Sequence, residues 1–127
     1  MATRSMIAIE KGIDAYDASY CHWDGYPSHN GNILAENYIT EQSVVELLEK
    51  GDLSSLGKTL EECVFFTDRG EDLHKHEDLS FSELRNTAKN VGCEYIYVFF
   101  PDEGVWQYAT DEDNFCSMNS FKFPQIN

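Results

Sequence analysis

The stretch Glu94-Tyr-Ile-Tyr-Val-Phe-Phe100, with the turn Pro101-Asp-Glu-Gly104 and the segment Val105-Trp-Gln-Tyr-Ala109 after it, decides the fold. Its first part consists mostly of β-forming residues and is apolar at consecutive positions. This pattern is typical of a central strand that is covered on both faces. The turn and the last part predict a C-terminal hairpin. We therefore expect a sheet that is built around residues 94–100.

The N-terminal part of the chain predicts a second hairpin. Residues 5–10 form an apolar run that ends at Lys11-Gly12, and residues 13–23 alternate in character. The alternation predicts a strand with Tyr16, Ala18, Tyr20 and His22 on one face and Asp17, Ser19, Cys21 and Trp23 on the other. A turn at 11–12 brings Arg4 beside the end of this second strand, near Tyr20, His22 and Asp24.

Further elements follow from capping residues and apolar spacing. Thr40 predicts the start of a helix near 41–50, and the capping box Ser80-Phe-Ser-Glu83 predicts a helix near 81–91. Asn30 or Asn32 is expected to cap a short helix that ends at Tyr38. Residues 63–67 predict a third strand, and Leu53–Gly57 predicts a compact connector.

Two segments lack a regular pattern. Residues 68–79 are polar and mostly acidic, and we expect an exposed, mobile loop there. Residues 114–127 predict an irregular tail whose Phe115, Phe121 and Phe123 pack on the body. The whole chain, 1–127, is expected to be a single α+β domain. Its sheet is antiparallel or mixed with about five strands, and two to three helices pack on one side of it.

The composition excludes several classes of protein. The chain has 127 residues with 9 Lys and Arg against 23 Asp and Glu, a formal net charge of −14. Such a field repels phosphate backbones and anionic membranes, so we expect no direct nucleic-acid binding and no membrane association. No run predicts a membrane span or a signal peptide, which favours the cytoplasm. The 4 Cys lack zinc-site spacing and are expected to be reduced thiols.

The segment Tyr20-Cys-His-Trp-Asp-Gly-Tyr-Pro-Ser-His-Asn-Gly31 concentrates the chemistry of the chain. Aromatic faces stack a planar base, while His and Asn side chains bind its polar edge and any phosphate. Alternatively, His22, Asp24 and His29 are ligand types suited to a divalent metal, as in a metal-dependent hydrolase. A third reading is structural, with Tyr20 and Trp23 in the core and Asp24-Gly25 and Asn30-Gly31 as turns.

The same segment carries a family resemblance. Thr3-Arg-Ser, Ile7-Ala-Ile-Glu10, Tyr20-Cys-His-Trp-Asp-Gly-Tyr26, His29-Asn-Gly31 and Gly51-Asp-Leu-Ser-Ser-Leu-Gly57 occur in this order. In this the chain closely resembles small uncharacterised proteins of bacteriophages and prophages. The resemblance covers about the first 57 residues closely and the aromatic strand and Trp106 hairpin loosely, but neither residues 68–78 nor the tail after Asp113. It implies an accessory viral protein for host takeover or counter-defence, and it brings no established activity.

Other patterns are weaker. His74 and His76 could hold a metal, but a solvated loop explains them better. No nucleophile elbow, phosphate-binding loop or dinucleotide-binding motif occurs in the sequence, so we expect no catalysis and no cofactor. The acidic surface permits a nucleic-acid mimic that inhibits a basic host enzyme, and it also suits plain solubility.

The resulting expectation is a non-enzymatic protein that sequesters a nucleotide-like small ligand, with a host protein as the alternative partner. The predicted ligand-binding residues are Arg4, Tyr20, His22, Asp24, Tyr26, His29 and Asn30, with Trp23 buried in the core. Pairing of Arg4 with Asp24 as a loop clamp is the structural alternative for Arg4. His29 and Asn30 are expected at the N-terminus of the following helix, where unpaired N–H groups favour an anion. The sequence leaves a homo-oligomer open.

Overall fold

We describe residues 2–120 of the chain from a computed structural model. In chain order the elements are β1 (Ser5–Gly12), β2 (Ala15–Cys21), α1 (Asn32–Asn37), α2 (Glu41–Glu49), β3 (Leu53–Ser55), β4 (Val64–Phe65), β5 (His76–Leu79), α3 (Phe81–Asn90), β6 (Tyr95–Phe100), β7 (Val105–Thr110) and β8 (Asn119–Ser120). The described residues thus form an α+β fold with three α-helices and a mixed sheet of eight strands. The fold class agrees with the prediction, while the strand number exceeds the expected five.

The sheet has the strand order β4-β3-β2-β1-β6-β7-β8, and β5 pairs with β2 beside this path. The hairpin β1–β2 is antiparallel and sets Ser5 opposite Cys21. Strand β6 runs parallel to β1, with Ser5 opposite Tyr95, and returns through the antiparallel hairpin β6–β7. Both predicted hairpins are therefore confirmed, and β1 and β6 lie side by side within the sheet.

Helices cover both faces of this sheet. On one face, α1 and α2 pack in a cluster that includes Ile7, Ile9, Leu34, Val44, Leu47, Tyr97 and Phe99. On the other face, α3 packs in a cluster that includes Met6, Ala8, Leu84, Ala88, Ile96 and Val98. The prediction of helices on one side is wrong, because β1 and β6 alternate between two apolar faces and each face needs cover.

The segment predicted as a third strand is shorter than expected. Only Val64 and Phe65 pair with β3, and the chain then turns through a 3₁₀ helix, Phe66–Arg69, that ends at Gly70 with φ 86°. The expected connector at 53–57 contains β3, which lies parallel to β2 and antiparallel to β4. Strands of two or three residues carry too little alternation to be recognised in the sequence.

Part of the acidic segment is ordered as a strand. Strand β5 pairs with β2, where the Cα partners are Tyr16 with Leu79 and Ala18 with His76. The ammonium group of Lys11 lies 2.7 Å from the carboxylate of Asp78. The prediction of a loop is therefore wrong for residues 76–79, because opposite charges compensate the acidity there.

The C-terminal part packs more closely than predicted. Phe115 is only 1% exposed and belongs to the cluster on the α3 face, with the chain in a left-handed conformation at Asn114 and Phe115. Residues 119–120 form β8 on β7. The predicted packing of Phe121 and Phe123 lies outside the described residues.

Local features agree with the predicted helix starts and thiol states. Thr40 and Ser80 both cap their helices through capping boxes. All four cysteines are free, with three of them buried and Cys116 exposed. Burial raises the pKa of the Cys21 thiol to about 12, and also that of Cys93 to about 12.

Among residues 2–120, none of the helices combines the length and the apolar character needed to span a bilayer.

Candidate functional site

Residues 22–29, which we name the aromatic–histidine loop, follow β2 directly. The loop passes through one π-helical turn, Pro27–Gly31, into α1. Its start is bound to β3, because the N–H groups of His22 and Trp23 donate to the carbonyls of Leu53 (3.1 Å) and Ser54 (2.9 Å). Backbone hydrogen bonds therefore hold the loop against the sheet.

Gly25 anchors the middle of the loop. Its N–H donates to the Thr3 carbonyl at 2.8 Å, and its own carbonyl accepts a hydrogen bond from the Tyr97 hydroxyl. A Cβ atom at this position would lie 2.8 Å from the Thr3 carbonyl oxygen and 2.9 Å from the Ser5 Cβ. Glycine is needed here because the loop passes so close to the Thr3 carbonyl and the Ser5 side chain.

Sequence reasoning missed Tyr97 as a support of the loop. Its side chain is fully buried, and burial raises its pKa well above the usual range. The signal in the sequence was a tyrosine within a strand predicted to be buried, because a buried tyrosine hydroxyl needs a hydrogen-bond partner. The partner itself, the Gly25 carbonyl, follows only from the fold.

Tyr20, His22 and Arg4 lie on the same side of the hairpin. The β1–β2 register ends with Ser5 opposite Cys21, and Arg4 and His22 are the next residues along the chain on either side of that pair. The Tyr20 hydroxyl and His22 Nδ1 share a hydrogen bond of 2.7 Å. Burial raises the pKa of Tyr20, and the nearby charge of Arg4 opposes this shift. These three residues are therefore brought together.

Arg4 is held by the end of α3 rather than by Asp24. Its Nη1 donates to the Val91 carbonyl at 3.3 Å, and any side chain at Gly92 would contact the same nitrogen at 2.9 Å. The predicted clamp between Arg4 and Asp24 is absent from the ion pairs of residues 2–120. The last carbonyls of a helix attract a cation, which explains the observed contact.

Asp24 serves the loop internally. Its backbone is left-handed with φ 57°, and its carbonyl accepts from the Asn30 N–H at 3.2 Å. Its carboxylate accepts a hydrogen bond of 3.2 Å from the Tyr26 hydroxyl. This hydrogen bond raises the pKa of Tyr26. Asp24 thus fixes the path of the loop and the position of the Tyr26 ring.

Trp23 is at the surface, which contradicts its predicted burial. Its side chain is 44% exposed and that of Tyr26 is 38% exposed. The regular strand ends at Cys21, so alternation no longer decides where residue 23 points. Instead, the rings of Trp23 and His22 pack edge to face with centroids 4.7 Å apart. The loop therefore presents two large aromatic rings to solvent.

Asn30 is fully buried and supports the loop from beneath. Its Nδ2 donates to the Trp23 carbonyl at 3.1 Å and to Cys21 Sγ at 3.4 Å, and its Oδ1 lies 3.0 Å from His29 Nδ1. It lies inside the π-helical turn and caps no helix, because the turn continues directly into α1. The prediction that Asn30 binds a ligand from a helix N-terminus is therefore wrong.

The residues proposed for a metal site do not converge. Described residues 2–120 contain no group of three or more His, Cys, Asp or Glu side chains arranged to hold a metal ion. One ring nitrogen of each histidine is bound to a neighbouring side chain, Tyr20 or Asn30, and the Asp24 carboxylate accepts a hydrogen bond from Tyr26. The metal-dependent alternative for His22, Asp24 and His29 is thus not supported by their geometry.

A cavity of about 90 Å³ lies apart from the loop, between α2 and β5. Its lining includes Ile9, Ala18, Val45, Leu48 and His76. The candidate site is the surface of the loop itself, where the exposed rings of Trp23 and Tyr26 lie beside the half-buried His22 and His29. Comparison of the chain with protein-family models, with curated proteins and with solved structures finds no match.

Proposed function

We propose that this protein is a non-enzymatic capture protein that sequesters a nucleotide-like small ligand on the aromatic–histidine loop. The observation that carries the proposal is the exposure of Trp23 (44%) and Tyr26 (38%) on a loop whose backbone is bound to its surroundings. Single exposed aromatic residues are common on proteins. The Trp23 ring packs against His22 and the Tyr26 ring against His29, so each exposed ring has a histidine beside it and offers a face on which a base can stack.

The polar groups suit the remaining parts of a nucleotide. His22 bonds Tyr20 through Nδ1, which leaves Nε2 without a partner in residues 2–120. Arg4 lies on the same side of the hairpin, and its guanidinium forms no ion pair with a carboxylate in that part of the chain. In a protein of net charge −14, an anion needs such a locally positive place.

Calorimetric titration with mononucleotides, cyclic nucleotides and ADP-ribose derivatives tests this proposal. We expect at least one of them to bind and to quench the fluorescence of Trp23. In the Trp23→Ala variant only the buried Trp106 emits, so the quenching disappears. The affinity should fall about 5- to 150-fold, which corresponds to the loss of a stacking contact of about 1–3 kcal/mol.

The matched control is Ile13→Ala, which removes a fully exposed apolar side chain at the tip of the β1–β2 hairpin. This variant is expected to bind like the wild type. Absence of binding by all probes contradicts the ligand class. Turnover of a bound ligand at catalytic protein concentrations contradicts the non-enzymatic part of the proposal.

A basic host protein is the second candidate partner. The net charge of −14 and the projecting aromatic rings favour it, since aromatic residues are enriched at the centres of protein interfaces. Binding of one purified basic host protein to the wild type, but not to the Trp23→Ala variant, would support this candidate. Its association rate should fall steeply with ionic strength.

The sequence resemblance to bacteriophage and prophage proteins supplies the biological setting of the proposal. In that setting the protein acts in the host cytoplasm, where it removes a signal or blocks an enzyme during takeover or counter-defence. Capture suits this role, because it requires only affinity and sufficient expression.

A further inference from the structure

The orientation of the Asn30 side-chain amide follows from its neighbours. The Asn30 amide atom that lies 3.1 Å from the Trp23 carbonyl oxygen must be the NH₂ nitrogen, because a carbonyl oxygen can only accept a hydrogen bond. The amide oxygen then points the other way, to His29 Nδ1 at 3.0 Å. Because the Asn30 side chain is fully buried, water does not replace these hydrogen-bond partners.

This orientation determines which ring nitrogen of His29 carries the proton. An amide oxygen can only accept, so His29 Nδ1 must carry the proton and donate it. A neutral imidazole has one ring proton, which leaves Nε2 with a free lone pair. Nε2 has no hydrogen-bond partner in residues 2–120 and is not among the buried unpaired polar atoms, so it reaches solvent. An unconstrained imidazole in water prefers the opposite tautomer.

We propose that Asn30 is a positioning residue that locks His29 in the Nδ1–H tautomer, and that the ligand meets Nε2 of His29 with a hydrogen-bond donor such as the exocyclic amino group of adenine. The second part rests on the proposed function. The centroid of the Tyr26 ring lies 6.0 Å from that of His29, so a base stacked on Tyr26 lies within reach of the His29 ring. A ligand acceptor at the same place would set two lone pairs against each other.

The tautomer can be measured in the free protein, without any ligand. Two-bond ¹H–¹⁵N spectra at alkaline pH, where imidazoles are neutral, should show His29 protonated at Nδ1. His74, which is exposed, provides the reference for an unconstrained ring in the same spectrum. An Nε2–H tautomer at His29, or a mixture like that of His74, overturns the inference.

A variant pair separates the role of Asn30 from general effects. In Asn30→Ala, the His29 signals should move to the tautomer mixture of His74. In Asn37→Ala, which removes an exposed amide that donates to the Ile33 carbonyl on α1, they should stay unchanged. If Asn30→Ala does not fold, the wild-type spectrum alone decides. A folded Asn30→Ala that keeps the Nδ1–H tautomer contradicts the positioning role.

Two probes test the ligand half. Adenosine monophosphate and inosine monophosphate differ in the base edge, where an amino donor is replaced by a carbonyl acceptor. We expect the adenosine compound to bind about tenfold more tightly, and we expect this preference to vanish in His29→Ala. Equal affinities for the wild type overturn the donor requirement. Failure of both to bind contradicts the proposed function for these nucleotides, while the spectrum of the free protein still decides the tautomer.

Discussion

Replacing Gly25 by alanine should destabilise the protein by about 1.5–3.5 kcal/mol. The new Cβ would lie 2.8 Å from the Thr3 carbonyl oxygen and 2.9 Å from the Ser5 Cβ, and both are parts of the N-terminal strand region that cannot turn away. Overpacking of this kind costs about 1–3 kcal/mol. Movement of the loop also weakens the hydrogen bond from the buried Tyr97 hydroxyl, at about 1 kcal/mol. The lower entropy of the unfolded alanine chain offsets about 0.5 kcal/mol.

Urea unfolding monitored by circular dichroism measures this change. The matched control is Gly12→Ala, because a Cβ at Gly12 meets nothing within 4 Å. We expect the control to be unchanged or about 0.4–1 kcal/mol more stable. The Gly25 variant should also melt roughly 10 °C lower than the wild type, at about 4 °C per kcal/mol. Equal unfolding midpoints for the two variants would refute the argument that the close approach to β1 positions the loop.

Three further predictions concern other parts of the molecule. The hydrogen bond to Asp52 raises the pKa of His76, although burial opposes this shift. The pair therefore stabilises the fold fully at pH values below the pKa of about 6.5 that His76 has in the unfolded chain. This stabilisation is lost as the pH rises through the higher pKa of His76 in the folded protein. The stability difference between wild type and His76→Gln should therefore be about 0.5–1 kcal/mol larger at about pH 5.5 than at about pH 9, and a difference independent of pH contradicts the pairing. Trp106→Phe should cost about 1–3 kcal/mol in urea unfolding because it removes a buried N–H that donates at 2.9 Å, whereas Trp23→Phe should change stability by less than about 0.5 kcal/mol. A thiol reagent should modify Cys116 at once and the three buried thiols only as fast as the protein unfolds, so rapid modification of more than one thiol per chain would contradict the described burial.

The elements with strong local patterns could be predicted from the sequence. The two hairpins, the central strand 94–100 and the capped helices α2 and α3 all carry alternation or capping residues, and the structure contains each of them. The pairings of β3 and β5 could not be predicted, because their partners are distant in the chain. The helices on both faces could have been inferred from the apolar character of both faces of β6.

For the candidate site, the sequence indicated the right segment but not the direction of each side chain. The neighbourhood of Arg4, Tyr20 and His22 followed from the hairpin register, and the structure shows it. Trp23 and Asn30 exchanged their expected roles, with the aromatic ring at the surface and the polar amide buried. Periodicity ends with the strand, and only the tertiary contacts beyond Cys21 decide which residue fills the space beneath the loop.

The outer edge of β2 is shared by two strands that are far apart in the chain. Its first half pairs with β5 and its end pairs with β3, while between them the Asp52 carboxylate accepts the Tyr20 N–H at 2.9 Å. Stability in such an arrangement is divided into units that open separately. Hydrogen exchange in the first half of β2 reports on openings of β5, and exchange at His22 and Trp23 reports on openings of β3. We therefore expect the amides of these two parts of β2 to exchange at different rates, with the His76–Asp52 pair as the link between β5 and the chain before β3.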